Sequence, residues 1–458
     1  MWKQNKLHSN YSSPSKKGGG GDVSTSEVVA PLPPETMEAI RLFRDVEVSE
    51  RESLFLRKVQ HCCVQFDFLD EWTNIREKAM KREMLFDLID FVDSGSDILS
   101  VINQEEMIKM VSLNIFRSLP PGLHENSVTG GDDLEEHKVK GYREPLYPHL
   151  EPVYQLLFQY LLSSSTDVKV AKRFIDHAFV LRLLDLFDSE DLRERAYLRD
   201  ILHRIYGKFI GHRSFIRKGI SNIFYRFIYE TETHNGIVEL LDIIGSMING
   251  FALPLKDEHK LFLTRALIPL HKPKSVGMYH PSLSYCVVQF VEKDCKLADT
   301  VIRGLLKYWP VTNCQKELLF LEELEEVLGA TQTLEFQRCM VPLFKQISCC
   351  SNSLHHQIAE QALCLWKNEQ IWSLTIQNRN VILPIIFEAL ERNMQPHWNS
   401  EVHKLTVQVR KKFIQKDGEL FEECQRQYAE KQDKAREEAE RRESTWQKLV
   451  VLAAQQAA

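Results

Sequence analysis

Apolar residues recur along most of this chain at the spacing of one face of a helix. Leu56, Val59, Cys63 and Phe66 stand 3, 4 and 3 residues apart, and Val402, Leu405, Val409 and Phe413 stand 3, 4 and 4 apart. A period near 3.6 draws one apolar stripe down an α-helix, whereas a half-buried strand needs a period of 2. Alternation of the second kind is scarce. His234-Asn235-Gly236 falls between two helical patterns, not between alternating runs that a hairpin would join. The pattern predicts an all-α protein.

Short polar or Pro-bearing breaks punctuate the helical pattern: Asp188 to Asp191, Thr231 to Gly236, Pro254, His271-Lys272-Pro273, His280-Pro281, Trp309-Pro310 and Cys350 to Ser353. Helices and breaks alternate in units of about 40 residues, the period of paired-helix repeats, which makes about eight to ten degenerate units. Stacked pairs of this kind build a superhelical solenoid of HEAT-like (armadillo-like) repeats, each unit packed on its neighbours. The array is expected over residues 36–425. Residues 1–35, with SSPSKKGGGG and PLPP, have too little apolar surface to offset their ordering entropy and are expected to form a disordered tail. Residues 119–152 are expected to be an irregular loop. Residues 426–458 are expected to form a charged terminal helix. Glu430 and Lys434, and Glu438 and Arg442, are (i, i+4) pairs there, and a solvated helix is favoured over a coiled coil because apolar heptad positions are missing.

Composition narrows the class. The 458 residues are 43% hydrophobic and 27% charged with a net charge of −6, which suits a packed soluble protein and not one whose whole surface meets nucleic acid. No apolar run approaches the length of a membrane span; the strongest, Val381 to Phe387, contains Pro384. The first residues lack the apolar core of a secretory leader. The ten cysteines include two adjacent pairs but no CxxC, and no Cys/His set has zinc spacing, so buried thiols of a reducing compartment are expected. Nucleotide, zinc-protease and serine-hydrolase motifs are absent. His355-His356 has no acid partner at metal spacing, and Glu322-Glu323-Leu324-Glu325-Glu326 reads as a solvated helix face. No catalytic residue, cofactor or metal is expected.

One stretch stands apart. Residues 199–226 carry Arg199, Arg204, Lys208, Arg213, Arg217, Lys218 and Arg226 against one acid, Asp200. If residues 199–213 are one helix, His203, Tyr206, Ile210 and Arg213 share a face, with Gly207 and Gly211 leaving notches beside it. The next unit offers Ile243 and Met247, then Lys256 and His259 beyond Pro254. Two such strips side by side make a groove with an apolar floor and cationic ends, suited to an extended or one-turn acidic peptide. Arg213 and Lys256 would meet a carboxylate or phosphate, and His203 and Arg204 would favour a phosphorylated residue near the first anchor. Core packing of Tyr206 and Ile210 is the competing reading. RNA is disfavoured because sequential aromatic stacking platforms are missing.

Seven strings are similar to the B-prime regulatory subunits of protein phosphatase 2A: HCCVQFDF (61–68), FVLRLLDLFDSED (179–191), LHRIYGKF (202–209), SNIFYRFIYETE (221–232), NGFALPLKDEHK (249–260), YHPSLSYCVVQFVEKD (279–294) and LLKYWPVT (305–312). The resemblance spans about residues 35–450. It implies a non-catalytic subunit that joins the scaffold (A) and catalytic (C) subunits of a heterotrimeric serine/threonine phosphatase, in cytoplasm and nucleus. It also implies recruitment of client proteins through Leu-x-x-Ile-x-Glu segments. Carried over by motif, His203, Arg204, Tyr206, Arg213, Ile243 and Met247 hold the two apolar anchors, and Lys256 and His259 receive the glutamate. The chain departs from the family at Met247, where Ile is more usual. It also departs in the turn from Asp191 to Arg195, which lacks a Pro and is expected to be less rigid, and in Tyr142 to Tyr154. The alternative from another class is a peptide-binding HEAT-type adaptor that no longer assembles with the phosphatase.

Overall fold

The computed structural model describes residues 41–70, 72–94, 99–120, 143–164, 166–394 and 398–457, so the expected tail and the stretch 121–142 lie outside it. Among the described residues the chain forms nineteen α-helices and no strand. They are α1 (Val48–Cys62), α2 (Ile75–Ser94), α3 (Val101–Ile115), α4 (Tyr147–Leu162), α5 (Val168–Phe174), α6 (His177–Asp185), α7 (Leu192–Lys208), α8 (Arg213–Arg226), α9 (Ile237–Asn249) and α10 (Asp257–Phe262). The second half holds α11 (His280–Lys293), α12 (Ala298–Lys307), α13 (Cys314–Gly329), α14 (Thr333–Ser351), α15 (His356–Cys364), α16 (Glu369–Gln377), α17 (Arg379–Met394), α18 (Ser400–Lys416) and α19 (Gly418–Ala457).

The helices stack in two rows. One row runs α2, α4, α7, α9, α11, α13, α15, α18, and each member packs on the next. The other runs from α1 and α3 through α6 and α8 to α12, α14, α17 and α19. One apolar core extends between the rows from Phe43 to Cys424. Residues such as Ile201, Leu202 and Ile205 have no exposure at all, and truncating one of these to Ala costs about 2–5 kcal/mol. The array is a helical solenoid.

The sequence pattern meets this structure unevenly. All four residues of the Val402–Phe413 stripe are buried in α18. In α1 the buried line is Phe55, Val59 and Cys62, so the expected stripe is displaced by one position: Leu56 and Cys63 are half-buried, and Phe66 lies beyond the helix end. Helix boundaries fall at the breaks, with Pro281 in the first turn of α11 and Pro148 in the first turn of α4. Helix α4 starts at Tyr147, inside the span expected to be irregular, and carries Pro152 within it. The expected boundary at 425/426 lies inside α19. All ten cysteines are free thiols, and burial pushes the Cys62 thiol up to about 12.

Candidate functional site

Helix α7 is fixed at its start by Asp191, whose carboxylate accepts from the backbone N–H of Arg193 at 2.9 Å and from that of Glu144 at 2.9 Å. The Arg193 side chain donates to the same carboxylate. This turn is therefore tied down by hydrogen bonds where a proline is missing, contrary to the looser turn expected. Beside it, Glu194 is wholly buried and accepts from Arg117 at 2.7 and 2.9 Å, from the Tyr154 hydroxyl at 2.6 Å and from the Ser189 hydroxyl. A buried carboxylate persists because each lone pair has a donor.

Inside α7, Leu198, Ile201, Leu202 and Ile205 face the core, while His203 and Arg204 lie exposed on the opposite side. The helix does not continue to residue 213. It ends at Lys208, because Phe209 leaves helical backbone (φ −107°, ψ 83°) to bury its ring at 1% exposure. Ile210 to His212 make a 3₁₀ turn, and Ile210 is 74% exposed, off the expected stripe. Arg213 therefore begins α8 instead of ending α7. It still meets Tyr206: its Nε donates to the Tyr206 carbonyl oxygen at 3.0 Å, one Nη donates to the Gly207 carbonyl at 3.3 Å, and its guanidinium lies 5.2 Å from the Tyr206 ring centre. A cation at a helix C-terminus satisfies orphan carbonyls and opposes the negative end of the dipole. The space beside Gly207 is open, but that beside Gly211 is occupied by the Lys172 ammonium, 2.8 Å from where a Cβ would stand.

One turn along α8, Arg217 joins two repeats. Its Nη1 donates to the Tyr206 hydroxyl at 3.0 Å and its Nη2 to Glu258 Oε1 at 2.8 Å. Glu258 Oε1 lies 3.4 Å from His259 Nε2. The His259 ring is buried and stacked flat on Phe251, 3.7 Å between centres. Burial pushes its pKa down, and Arg217 and Lys256 act in the same direction while Glu258 opposes them. Lys256 is exposed, one residue before α10.

The eight expected site residues thus fall into three groups. Tyr206 and Arg213 are in direct contact, and a Tyr206–Arg217–Glu258–His259 chain of contacts reaches across to α10. His203, Arg204 and Lys256 are exposed. Ile243 and Met247 differ from an open groove floor: they are 1% and 3% exposed, sealed in α9, which is apolar on nearly every side and packs between α7 and α11. Two other cations of the basic stretch already have partners. Lys208 donates to the carbonyls of Leu161 and Ser163, and Arg199 pairs with Asp200 and Asp242. The sequence marks Arg217 only as one cation of the basic stretch, and it gives Glu258 no role. Arg217 follows Arg213 by four, which places both on one helix face, but nothing local announces that Glu258 folds back onto it.

A second polar cluster was also hidden. His271 Nε2 and His280 Nε2 each donate to Glu323 Oε2, at 2.8 and 2.9 Å, and His271 Nδ1 lies 2.9 Å from the Ile268 carbonyl. Glu323 is fully buried, unlike the solvated face expected for its acidic run. Burial alone would raise its pKa, but the two imidazoles outweigh burial and hold it down to about 2. Among the described residues this is the group whose His and carboxylate atoms converge closely enough to hold a metal. Both Nε2 atoms and Glu323 Oε2 are engaged in hydrogen bonds that join the 3₁₀ turn at Ile268–His271, α11 and α13, while Glu323 Oε1 is buried without a partner.

Comparison with known proteins gives a concordant picture. Residues 40–453 match the family model described as protein phosphatase 2A regulatory B subunit (B56 family). The chain is 64% identical over 435 residues to the B' beta isoform of the 57 kDa regulatory subunit of serine/threonine protein phosphatase 2A from Arabidopsis thaliana, covering 94% of this chain and 87% of that one. It is 63% identical to the B' alpha isoform of the same plant (92% and 84% covered) and 52% identical to its B' delta isoform (92% and 88%). These relatives are named as regulatory subunits, not catalytic ones.

Proposed function

Because the chain belongs to the B56 family of protein phosphatase 2A regulatory B subunits, we propose that it docks client proteins on the α7–α8–α10 surface and presents them to a phosphatase catalytic subunit held with a scaffold subunit. The docked segment is of the Leu-x-x-Ile-x-Glu kind. Its acid meets Lys256 and His259, and its anchors lie along the exposed His203–Arg204 side of α7 near Tyr206. Ile243 and Met247 serve from beneath, as the packed backing that keeps the strip rigid, or reach an anchor only after α9 side chains shift.

The observation that carries this reading is the contact chain from Tyr206 through Arg217 to Glu258 and His259. It fixes the cationic end of one repeat at a set distance from the exposed face of another, as a short linear ligand with spaced anchors requires. Fixing side chains before binding lowers the ordering cost of recognition. The chain supplies no nucleophile, acid–base pair or metal for hydrolysis in this reading; that chemistry belongs to the catalytic partner.

Titrating the full chain with a Leu-x-x-Ile-x-Glu peptide by calorimetry tests the docking. A pull-down with scaffold and catalytic subunits tests assembly. Docking without assembly would favour the adaptor reading; no docking by the native chain would end the groove.

A further inference from the structure

Resting on the docking reading above, we infer that Glu258 is an internal stand-in for the client's acid, one that must leave His259 before a client carboxylate can reach that ring. Glu258 Oε1 lies 2.8 Å from Arg217 Nη2 and 3.4 Å from His259 Nε2. It therefore brings a carboxylate to His259, one of the two groups that the docking reading gives to the client's acid, the other being Lys256. The contact with Arg217 is a hydrogen bond, whereas that with His259 is a close charge-to-ring approach, so Glu258 occupies the space and the field at Nε2 that a client carboxylate would enter.

The members of this contact differ in freedom. His259 is held: its side chain is 8% exposed, it stacks on Phe251 with 6° between ring planes, and its Nδ1 is buried with no hydrogen-bond partner among the described residues. The ring cannot easily turn another edge to an incoming ligand. Arg217 is held as well, with its other arm on the Tyr206 hydroxyl and 18% of its side chain exposed. Glu258 is the member that can move. Its side chain is 49% exposed, and it stands second in α10. Exposed ion pairs are weak, so the carboxylate can swing to solvent at small cost.

The consequence is a docking strip that is occupied by its own chain when empty of client. A client with an acid at the last position has to displace Glu258 or share the site with it, carboxylate against carboxylate. A client without that acid leaves Glu258 where it is. The self-contact therefore sets how much the strip gains from a client's acid, and it acts as a specificity determinant and not as a ligand anchor.

The test is calorimetry on the full chain, native and Glu258→Gln, with two peptides: Leu-x-x-Ile-x-Glu and the same peptide ending in Gln. Glutamine keeps an acceptor for Arg217 and removes the charge. The expected result is binding of the Glu peptide tightened about threefold by E258Q, the size of an exposed ion pair, with the Gln peptide unchanged. E258Q that weakens the Glu peptide, or leaves its affinity alone, overturns the inference and makes Glu258 a support for Arg217. Tightening of both peptides alike also overturns it, because the effect would not involve the client's acid. A native chain that binds neither peptide overturns the docking reading itself, and that outcome is read before any variant is made.

Discussion

Arg213, the first residue of α8, donates its Nε–H to the carbonyl oxygen of Tyr206 near the end of α7, at 3.0 Å. One side chain thus closes a helix, covers a ring and turns the chain between two repeats. On the docking reading proposed above, structure and recognition share this residue, so substituting it would have two separable effects.

Arg213→Ala should lower stability by about 1 kcal/mol, through the loss of a charged cap on α7. Urea midpoints of the two proteins measure it. Arg213→Lys keeps the charge but not the fork that reaches two carbonyls, and it should recover only part of the loss. An Arg213→Ala midpoint equal to the native one would mean that the cap is spectator geometry.

His203 lies on the exposed side of α7, apart from the buried line of Leu198, Ile201, Leu202 and Ile205. His203→Ala should leave the melting temperature within error while weakening the Leu-x-x-Ile-x-Glu peptide at least tenfold, with scaffold and catalytic subunits still retained in a pull-down. Loss of all three together would point to misfolding instead.

The buried Glu194 site predicts a larger penalty. Arg117→Met leaves a carboxylate without its main donor and should cost about 3–5 kcal/mol. Adding Glu194→Gln to it should restore much of that loss, since the unpaired charge is then gone. Non-additive urea midpoints across the four proteins of this cycle would establish the coupling.

Stability should fall on acidification through the Glu323 site. Its folded pKa, about 2, lies below its ordinary value of 4.5. A depressed acid contributes stability that is complete above the unfolded value and is lost as pH falls from about 4.5 toward 2, on the order of a few kcal/mol. Glu323→Gln should flatten that part of the curve and lower stability near neutral pH. Urea unfolding followed across that range checks both statements.

Docking should weaken with added salt, because Arg204 and Lys256 are exposed and their contacts are screened over about 10 Å at 0.1 M salt. Calorimetry at low and high salt reads it. A constant affinity would place the binding energy in the apolar anchors.

What could be read from the chain follows from the range of each interaction. The all-α class and the positions of the breaks were legible, because helical period and proline act within a few residues. Val402, Leu405, Val409 and Phe413 were right for this reason. In α1 the buried face that holds Phe55, Val59 and Cys62 also takes in Lys58, which pairs with Asp87 of α2. That pairing is tertiary and has no local sign. The same holds for the site. Tyr206 and Arg213 were named as neighbours on a helix that in fact breaks between them, and they meet by another route. Ile243 and Met247 were read as a floor, but neighbouring helices on both sides seal α9. Arg217 with Glu258, and His271 and His280 each with Glu323, join residues 41 to 52 positions apart, beyond any spacing rule.

Within each row, helices touch chiefly the helices next to them. Among the described residues, the stronger contacts run between neighbouring helices and not across the span of the array. Small rotations at successive interfaces add along the stack, so the ends travel much farther than any single joint. On the docking reading proposed above, a client held on α7–α8–α10 would shift relative to partners bound elsewhere on the array when such rotations occur, while each local contact stays nearly as it was. Resistance to bending in such a stack is distributed over every seam.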